Sequence, residues 1–96
     1  YLLDGKASAV WGTHTHVQTS DACVLPQGTG YITDLGMTGA VRSVLGIDVD
    51  QSIGKFMGDP PRRYEAGKGP SKLEGCIFAV DTDTGRCLQA EAVRVT

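Results

Sequence analysis

The sequence lacks several features that would assign it to a protein class at once. Its 96 residues contain no run near the ~20 consecutive apolar residues of a membrane-spanning helix, so we expect no membrane contact. Nine lysines and arginines against 11 aspartates and glutamates give a net charge of −2. This balance argues against a nucleic-acid surface that depends on charge alone. The composition predicts one ordinary globular unit.

Cysteine is also scarce. Cys23, Cys76 and Cys87 are an odd number at wide spacing, which matches neither a disulfide framework nor a CxxC metal knuckle. We therefore expect free thiols, as in proteins of a reducing compartment. Nothing near Cys23, the thiol closest to the histidines in sequence, marks it as an activated nucleophile.

The first residues are not typical of the start of a natural protein. There is no initiating methionine, and "YLLDGKAS" resembles the last turn of a helix, with Gly5 just past its end. The apolar run Ala7–Trp11 lies before Gly12 and predicts a buried strand. A helix end followed by a buried strand is the second half of an α/β unit. We expect a fragment whose upstream sequence is missing.

Two hairpins are predicted further along the chain. The first has arms at Cys23–Leu25 and Gly30–Thr33, and "LGMTGA" after it predicts a loop. The second joins the apolar strand Leu73–Val80 to the alternating segment "CLQAEAVRV" through a turn at Gly85. The alternation breaks near the end of that segment, which predicts a bulge or a change of face. "RRYEAG" is a candidate short strand.

The clearest helix is "DVDQSIGKFMGDPP". Asp48 is a candidate N-cap with Gln51 three residues on, and Gly58 with two prolines ends the helix. Apolar residues fall at the spacing of one helical face, which predicts a buried face made of Val49, Ile53, Phe56 and Met57.

The only two histidines, His14 and His16, lie in "WGTHTHV". In extended backbone, residues i and i+2 point to the same side, about 6.6 Å apart at a rise of about 3.3 Å per residue. Two such imidazoles can bind one metal, or each can bind one ion of a pair. The pair also follows a predicted buried strand, where sites in α/β folds commonly lie.

Other interpretations of these residues stay open on spacing alone. A lone His-x-His is more often structural or exposed than a metal site, because such a site needs three or four ligands. Further ligands would come from Asp4, Asp21, Asp34 or missing sequence, and a mononuclear zinc hydrolase would need one of them. A non-catalytic binding or structural module is the alternative function. Arg62 and Arg63 can hold a phosphate, but a solvated basic turn is the commoner case.

Longer stretches resemble a known family. "GTHTHVQTSD" followed by "VLPQGTGYITDLGMTG" resembles the C-terminal half of the YmdB-like metallophosphoesterases, bacterial cytoplasmic phosphodiesterases of the calcineurin-like superfamily. The resemblance continues through "SVLGID", "PRRYE" and "LEGCIFAVDTDTGR" and covers nearly the whole chain. It implies an α/β fold: the C-terminal portion of a metallophosphoesterase sandwich, with mixed β-sheets flanked by helices and a C-terminal antiparallel hairpin. Residues 1–96 would form a single partial domain that lacks its N-terminal half.

The resemblance also implies a function. The full protein would be a dinuclear metallophosphoesterase that hydrolyses phosphodiesters, with cyclic nucleotides plausible, by a hydroxide activated by two iron or manganese ions. His14 and His16 match the family's Gly-x-His-x-His motif and would be ligands of different ions. Thr38, in the loop between Gly36 and Gly39, is a candidate substrate-binding residue.

The resemblance leaves most of the ligands outside this chain. The family's other ligands lie N-terminal to the motif, and this chain has no asparagine with which to match them. We therefore expect the 96-residue chain alone to be inactive. We expect the full protein to be cytoplasmic, to bind a phosphodiester small molecule or nucleotide, and to be a candidate homo-oligomer.

Overall fold

Six strands and one helix make up the structure, a computed structural model that describes residues 1–96. In chain order they are β1 (Ala9–Trp11), β2 (Cys23–Val24), β3 (Gly30–Ile32), β4 (Gly39–Ala40), α1 (Val49–Phe56), β5 (Ser71–Val80) and β6 (Cys87–Val95). They form two three-stranded sheets, with strand orders β1-β3-β2 and β4-β5-β6. Two small sheets with a helix and a C-terminal antiparallel pair confirm the predicted α/β class. No helix is long and apolar enough to cross a membrane.

The first sheet brings two chain segments to one edge. β1 pairs with β3 in parallel, with Val10 opposite Tyr31, and β2 pairs with β3 antiparallel, with Cys23 opposite Tyr31. The predicted first hairpin is therefore confirmed, with shorter arms. Because β1 and β3 are parallel, their carboxyl ends lie at the same edge. The turn with the histidines and the segment from Thr33 onward both leave from that edge.

The second sheet is mainly the C-terminal hairpin. β5 and β6 pair antiparallel from Leu73 opposite Val95 to Ala79 opposite Gln89, after which Val80 pairs with Cys87. The register thus slips by one residue near the turn, at the opposite end of β6 from the break in alternation. The predicted hairpin is confirmed, and its irregularity lies at the other end.

Two local predictions are wrong. "LGMTGA" contains β4, which pairs with β5, although its glycines predict a loop. "RRYEAG" forms no strand, and only Ala66 makes an isolated bridge to Ile47. Its backbone is held by the side chain of Gln51, which donates to the carbonyl of Arg63 at 2.8 Å and accepts from the amide of Glu65 at 2.8 Å.

The helix begins where the sequence predicts but turns its other face inward. The Asp48 carboxylate accepts from the amide of Gln51 at 3.1 Å, so the N-cap is confirmed. The predicted buried face is wrong, because Phe56 is 90% exposed and Met57 79% exposed. The buried residues of the helix are Gln51 and Ser52. The helix is held by the polar contacts of Gln51, and these do not involve its apolar side.

The interior contains more polar than apolar side chains. β2 and β3 pack against β6, and the rings of Trp11 and Phe78 stack with centroids 6.2 Å apart. The buried apolar residues are Ile32, Ala40 and Cys87, and the buried polar ones are Thr29, Asp34, Gln51 and Ser52. Every buried side-chain nitrogen and oxygen has a hydrogen-bond partner. Hydrogen bonds between loops therefore contribute much of what fixes this fold.

The three cysteines are free, as predicted. Cys87 is buried, Cys23 is exposed and Cys76 is between the two. Partial burial raises the pKa of the Cys76 thiol, because the thiolate is poorly solvated there.

Candidate metal centre

The turn with the two histidines starts at Gly12, immediately after β1. The Gly12 amide donates to the carbonyl of Ile32 at 3.3 Å, and its carbonyl accepts from the amide of Leu35 at 3.0 Å. The chain leaving β1 is thereby fixed to the chain leaving β3. The histidines follow within four residues of this anchor, so the sheet edge sets where they begin.

The backbone at the histidines is not extended. His14 has φ 97° and His16 has φ 63°, and the only other non-glycine residue with positive φ is Leu45, at 54°. The expectation of two side chains 6.6 Å apart on one side of a strand is therefore wrong. Backbone of this kind costs about 1–3 kcal/mol per non-glycine residue and persists only where neighbouring structure holds it. It clusters at functional sites.

Each imidazole ring has one hydrogen-bond partner in the protein, and each ring uses its Nδ1 atom for that bond. The His16 Nδ1 lies 3.0 Å from the carbonyl oxygen of Leu45, and the His14 Nδ1 lies 2.9 Å from the Thr13 hydroxyl. A carbonyl only accepts, so the His16 Nδ1 carries the hydrogen. The Nε2 lone pair of a neutral His16 ring is then available, and the ring is exposed. This is how a metal-binding imidazole is held by its surroundings, so the His16 ring fits the part of a metal ligand.

Asp34 ties this turn to the end of β3. One carboxylate oxygen accepts from both the amide and the hydroxyl of Thr15, at 2.9 and 2.8 Å, and the other accepts from the amide of Gly36 at 2.8 Å. The amides of Gly36 and Thr15 keep the pKa of Asp34 below its ordinary value. Asp34 is thus an ionised carboxylate that is 1% exposed.

The other aspartates near the turn are also engaged with backbone. Asp21 accepts from the Thr19 hydroxyl at 2.6 Å and the Thr33 amide at 3.1 Å. These hydroxyl and amide donors lower its pKa from 3.8 to about 2. Asp4 accepts from the amide of Gln27 at 2.9 Å. No three side chains of the types His, Cys, Asp and Glu converge into a group that could hold a metal ion. Residues 1–96 therefore offer two imidazoles and no convergent third ligand.

Thr38 lies in the segment between Asp34 and β4, and its side chain is exposed. This segment is fixed at Gly36 by Asp34, and at Met37 by Glu74, whose carboxylate accepts from the Met37 amide at 3.0 Å. Through Asp34, the segment with Thr38 and the turn with the histidines are bonded to one carboxylate. A substrate-binding role for Thr38 stays a prediction.

The C-terminal hairpin supports both segments. Glu74 on β5 forms an ion pair with Lys72 at 2.8 Å, and its side chain is almost completely buried. Gln18 donates from its side-chain amide to the carbonyls of Gly75 at 2.8 Å and Val93 at 3.0 Å. Sequence reasoning missed these supports. The one available signal was Glu74, a lone carboxylate in the otherwise apolar "LEGCIFAV".

The sequence that forms this turn and its supports matches a known protein family. The sequence matches the YmdB-like protein family over residues 1–93. The chain belongs to the YmdB-like family. This confirms the resemblance carried by "GTHTHV" and "YITDLGMTG".

Individual relatives agree with this assignment. The YmdB-like chain is 44% identical over 95 residues to the 2',3'-cyclic-nucleotide 2'-phosphodiesterase of Bacillus subtilis (strain 168), a match that covers 99% of this chain and 36% of the relative. A crystal structure of a novel phosphatase from Mycoplasma pneumoniae superposes with a TM-score of 0.87 at 38% identity, covering 97% of this chain and 34% of that one. A hypothetical protein from Thermus thermophilus gives a TM-score of 0.86 at 39% identity, covering 97% and 36%. The YmdB-like chain therefore spans about a third of the length of these relatives.

Proposed function

We propose that the intact protein carrying this chain is a metal-dependent phosphodiesterase. Its substrate class would be cyclic nucleotides or related phosphodiester small molecules. The observation that carries the proposal is the exposed His16 ring, whose Nδ1 bonds to the Leu45 carbonyl and whose Nε2 is available to a metal. The name of the Bacillus subtilis relative supports the same class of reaction.

The residues of this chain would have distinct roles. His14 and His16 would bind one ion each of a pair, iron or manganese. Such ions, when bound, supply an activated water and neutralise charge on the phosphoryl group. The Leu45 carbonyl would hold the His16 ring with its Nε2 outward, as supporting groups do for metal-binding histidines. Thr38 would contact the bound substrate. Retention of metal should fall at low pH, because a protonated imidazole cannot bind one.

The test uses the intact protein, purified and loaded with Mn²⁺ or Fe²⁺. Elemental analysis gives ions per chain, and hydrolysis of cyclic and linear phosphodiesters gives activity. We expect two ions in the wild type. For His14→Ala and His16→Ala we expect a loss of bound metal and at least about a 100-fold loss of activity, since removing even the groups that support metal ligands costs about 10- to 100-fold. Gln89→Ala, an exposed change on β6, is the control. Metal content and activity unchanged in both histidine variants would reject the site.

The same measurement separates a dinuclear centre from a mononuclear one. A mononuclear zinc hydrolase would bind one ion per chain at saturation, and zinc would restore activity after chelation. We expect two ions instead. A non-catalytic module would show neither turnover nor any response to chelator.

The chain by itself is proposed to be inactive, as a partial domain that lacks the other ligands. The absence of a third converging ligand supports this. Purified residues 1–96 should bind Mn²⁺ weakly and hydrolyse no phosphodiester under conditions where the intact protein does. Turnover by residues 1–96 at a comparable rate would contradict the proposal.

Two further parts of the proposal concern the whole protein. We place it in the cytoplasm, which cell fractionation would test. We also propose a homo-oligomer: the large apolar side chains exposed on this chain, including Phe56 and Leu88, would be covered by the rest of the intact protein or by a second copy. Light scattering on the intact protein gives the mass, and a monomer at micromolar concentration would contradict an oligomer.

A further inference from the structure

We propose that Asp34 is a positioning residue of the metal centre: it holds the peptide between His14 and His16 so that both histidines keep the conformation that binds metal. This inference rests on the proposed function of the two histidines. It concerns a residue whose sequence context suggested a ligand, and it assigns that residue a different role.

The turn needs such support because of its backbone. His14 and His16 both have positive φ, with a single residue between them. An unsupported peptide would leave these conformations for more favourable ones. Something on the neighbouring structure must therefore fix the intervening residue, Thr15.

Asp34 contacts Thr15 at both of its donor groups. The Thr15 amide, which belongs to the peptide bond after His14, donates to the carboxylate at 2.9 Å. The Thr15 hydroxyl donates to the same oxygen at 2.8 Å and accepts from the amide of Val17 at 3.2 Å. The peptide after His14 is thus oriented directly by Asp34, and the peptide after His16 is oriented through the Thr15 hydroxyl.

Asp34 is itself immobilised, so it can act as a fixed point. Its amide donates to the Thr19 hydroxyl at 2.9 Å, and its carbonyl accepts from the Thr19 amide at 3.1 Å. Its side chain also accepts from the Gly36 amide at 2.8 Å. The residue is 1% exposed and lies two residues after the end of β3, so it has little freedom to move.

The same contacts argue that Asp34 is not a metal ligand. Its two oxygens accept three hydrogen bonds from protein donors, and the side chain is buried while both histidine rings are exposed. A carboxylate bonded in this way orients its neighbours, as outer groups do around metal sites. Asp34 therefore acts through Thr15, and it does not contact the metal.

The decisive variant is Asp34→Asn in the intact protein. With its NH₂ group toward Thr15, the new amide loses the hydrogen bond from the Thr15 amide; with its NH₂ group toward Gly36, it loses the bond from the Gly36 amide, which frees the carboxamide to move but leaves both Thr15 contacts possible. Asp21→Asn is the matched control, because Asp21 also links the chain that follows the histidines to the chain that follows β3. It accepts hydrogen bonds from Thr19 and Thr33. The readouts are Mn²⁺ affinity by competition with a chelator, the Mn²⁺ electron paramagnetic resonance spectrum, and thermal unfolding of the metal-free protein.

We expect Asp34→Asn to weaken Mn²⁺ binding about 10- to 100-fold and to alter the resonance spectrum, as for other supporting groups of metal sites. Asp21→Asn should lower the unfolding temperature but leave affinity within about twofold of the wild type, since it touches neither histidine nor Thr15. Wild-type affinity in both Asp34→Asn and Thr15→Val would overturn the inference, because the contact between Asp34 and Thr15 cannot survive in both. So would equal losses of affinity in Asp34→Asn and Asp21→Asn, because the effect would then be general destabilisation.

Exposed Thr15 provides a second pair of variants, should Asp34→Asn fail to fold. Thr15→Val removes the hydroxyl and should weaken Mn²⁺ binding, whereas Thr15→Ser keeps the hydroxyl and should restore it. Equal affinity in the two would overturn the inference. The proposed function fails separately: it fails if His14→Ala and His16→Ala bind metal as the wild type does, whatever Asp34→Asn shows.

Discussion

A β-carbon added to Gly12 would lie 2.2 Å from the carbonyl oxygen of Thr33. The segments that leave β1 and β3 approach so closely here that no side chain fits between them. The contact is with backbone, so it cannot be relieved by rotating a side chain. Glycine at this position is therefore what allows the histidine turn to leave β1 directly beside the exit of β3.

Gly12→Ala should destabilise the protein and weaken metal binding together. Forcing the two strands apart should cost about 1–3 kcal/mol, as overpacking does elsewhere. Urea unfolding measures the loss, and Mn²⁺ competition measures the effect on the turn. Gly75→Ala is the control, because its β-carbon would meet only a methyl group of Val93 at 3.8 Å. Equal stability of the two variants would show that the close approach does not occur.

Glu74→Ala should loosen the segment with Thr38. The substitution leaves Lys72 without its partner and the Met37 amide without an acceptor. Losing hydrogen bonds to a buried charged group should lower the free energy of unfolding by about 1.5–3 kcal/mol. Hydrogen exchange at Met37 should accelerate. Glu91→Ala, an exposed carboxylate on β6, should change neither, and similar losses in both would argue against a specific role for Glu74.

Gln51→Ala should lower the free energy of unfolding more than Phe56→Ala, although Gln51 is polar and Phe56 is a large aromatic residue. Gln51 is buried and bonded to two backbone groups, whereas Phe56 is 90% exposed. Leaving the Arg63 carbonyl and the Glu65 amide without a hydrogen-bond partner should lower the free energy of unfolding by about 1–3 kcal/mol. Thermal unfolding of both variants decides it. A larger loss for Phe56→Ala would mean that this face of the helix is covered in the intact protein.

Asp21 should contribute stability that disappears in acid. Its pKa falls from 3.8 to about 2 on folding, so the folded state holds the ionised form. The contribution is therefore complete above pH 3.8 and is lost as the pH falls to about 2. Asp21 is exposed, so the effect should be small. The unfolding temperatures of wild type and Asp21→Asn should converge across this window, and a constant difference would contradict the lowered pKa.

Features that depend on neighbours in sequence were predictable. Asp48 and Gln51 are three residues apart, so the N-cap contact is a local event that any context preserves. The turn residues around Gly28 and Gly85 likewise predict the two hairpins. The family motif supplied His14 and His16 as candidates, which spacing alone could not separate from exposed polar residues.

Features that depend on distant residues were not predictable. His14 and His16 have positive φ in a turn that contacts Asp34 and Leu45, which are far along the chain, and local sequence does not encode those contacts. Periodicity predicted that Phe56 would be buried, but periodicity shows only which residues share a face of the helix. The hydrogen bonds of Gln51 decide which face turns inward here.

The hydrogen bond from Gln18 to Val93 joins residues 75 positions apart. During synthesis the histidine turn leaves the ribosome well before the strand that supports it exists. The hydrogen bonds that fix the chain just after the turn, from Gln18 to the hairpin, can form only after β6 has been made and has folded back. A protein cut short before β6 would therefore keep both histidines and their contacts with Asp34 and Leu45, yet lose the hydrogen bond of Gln18 to Val93 that anchors the chain just after them.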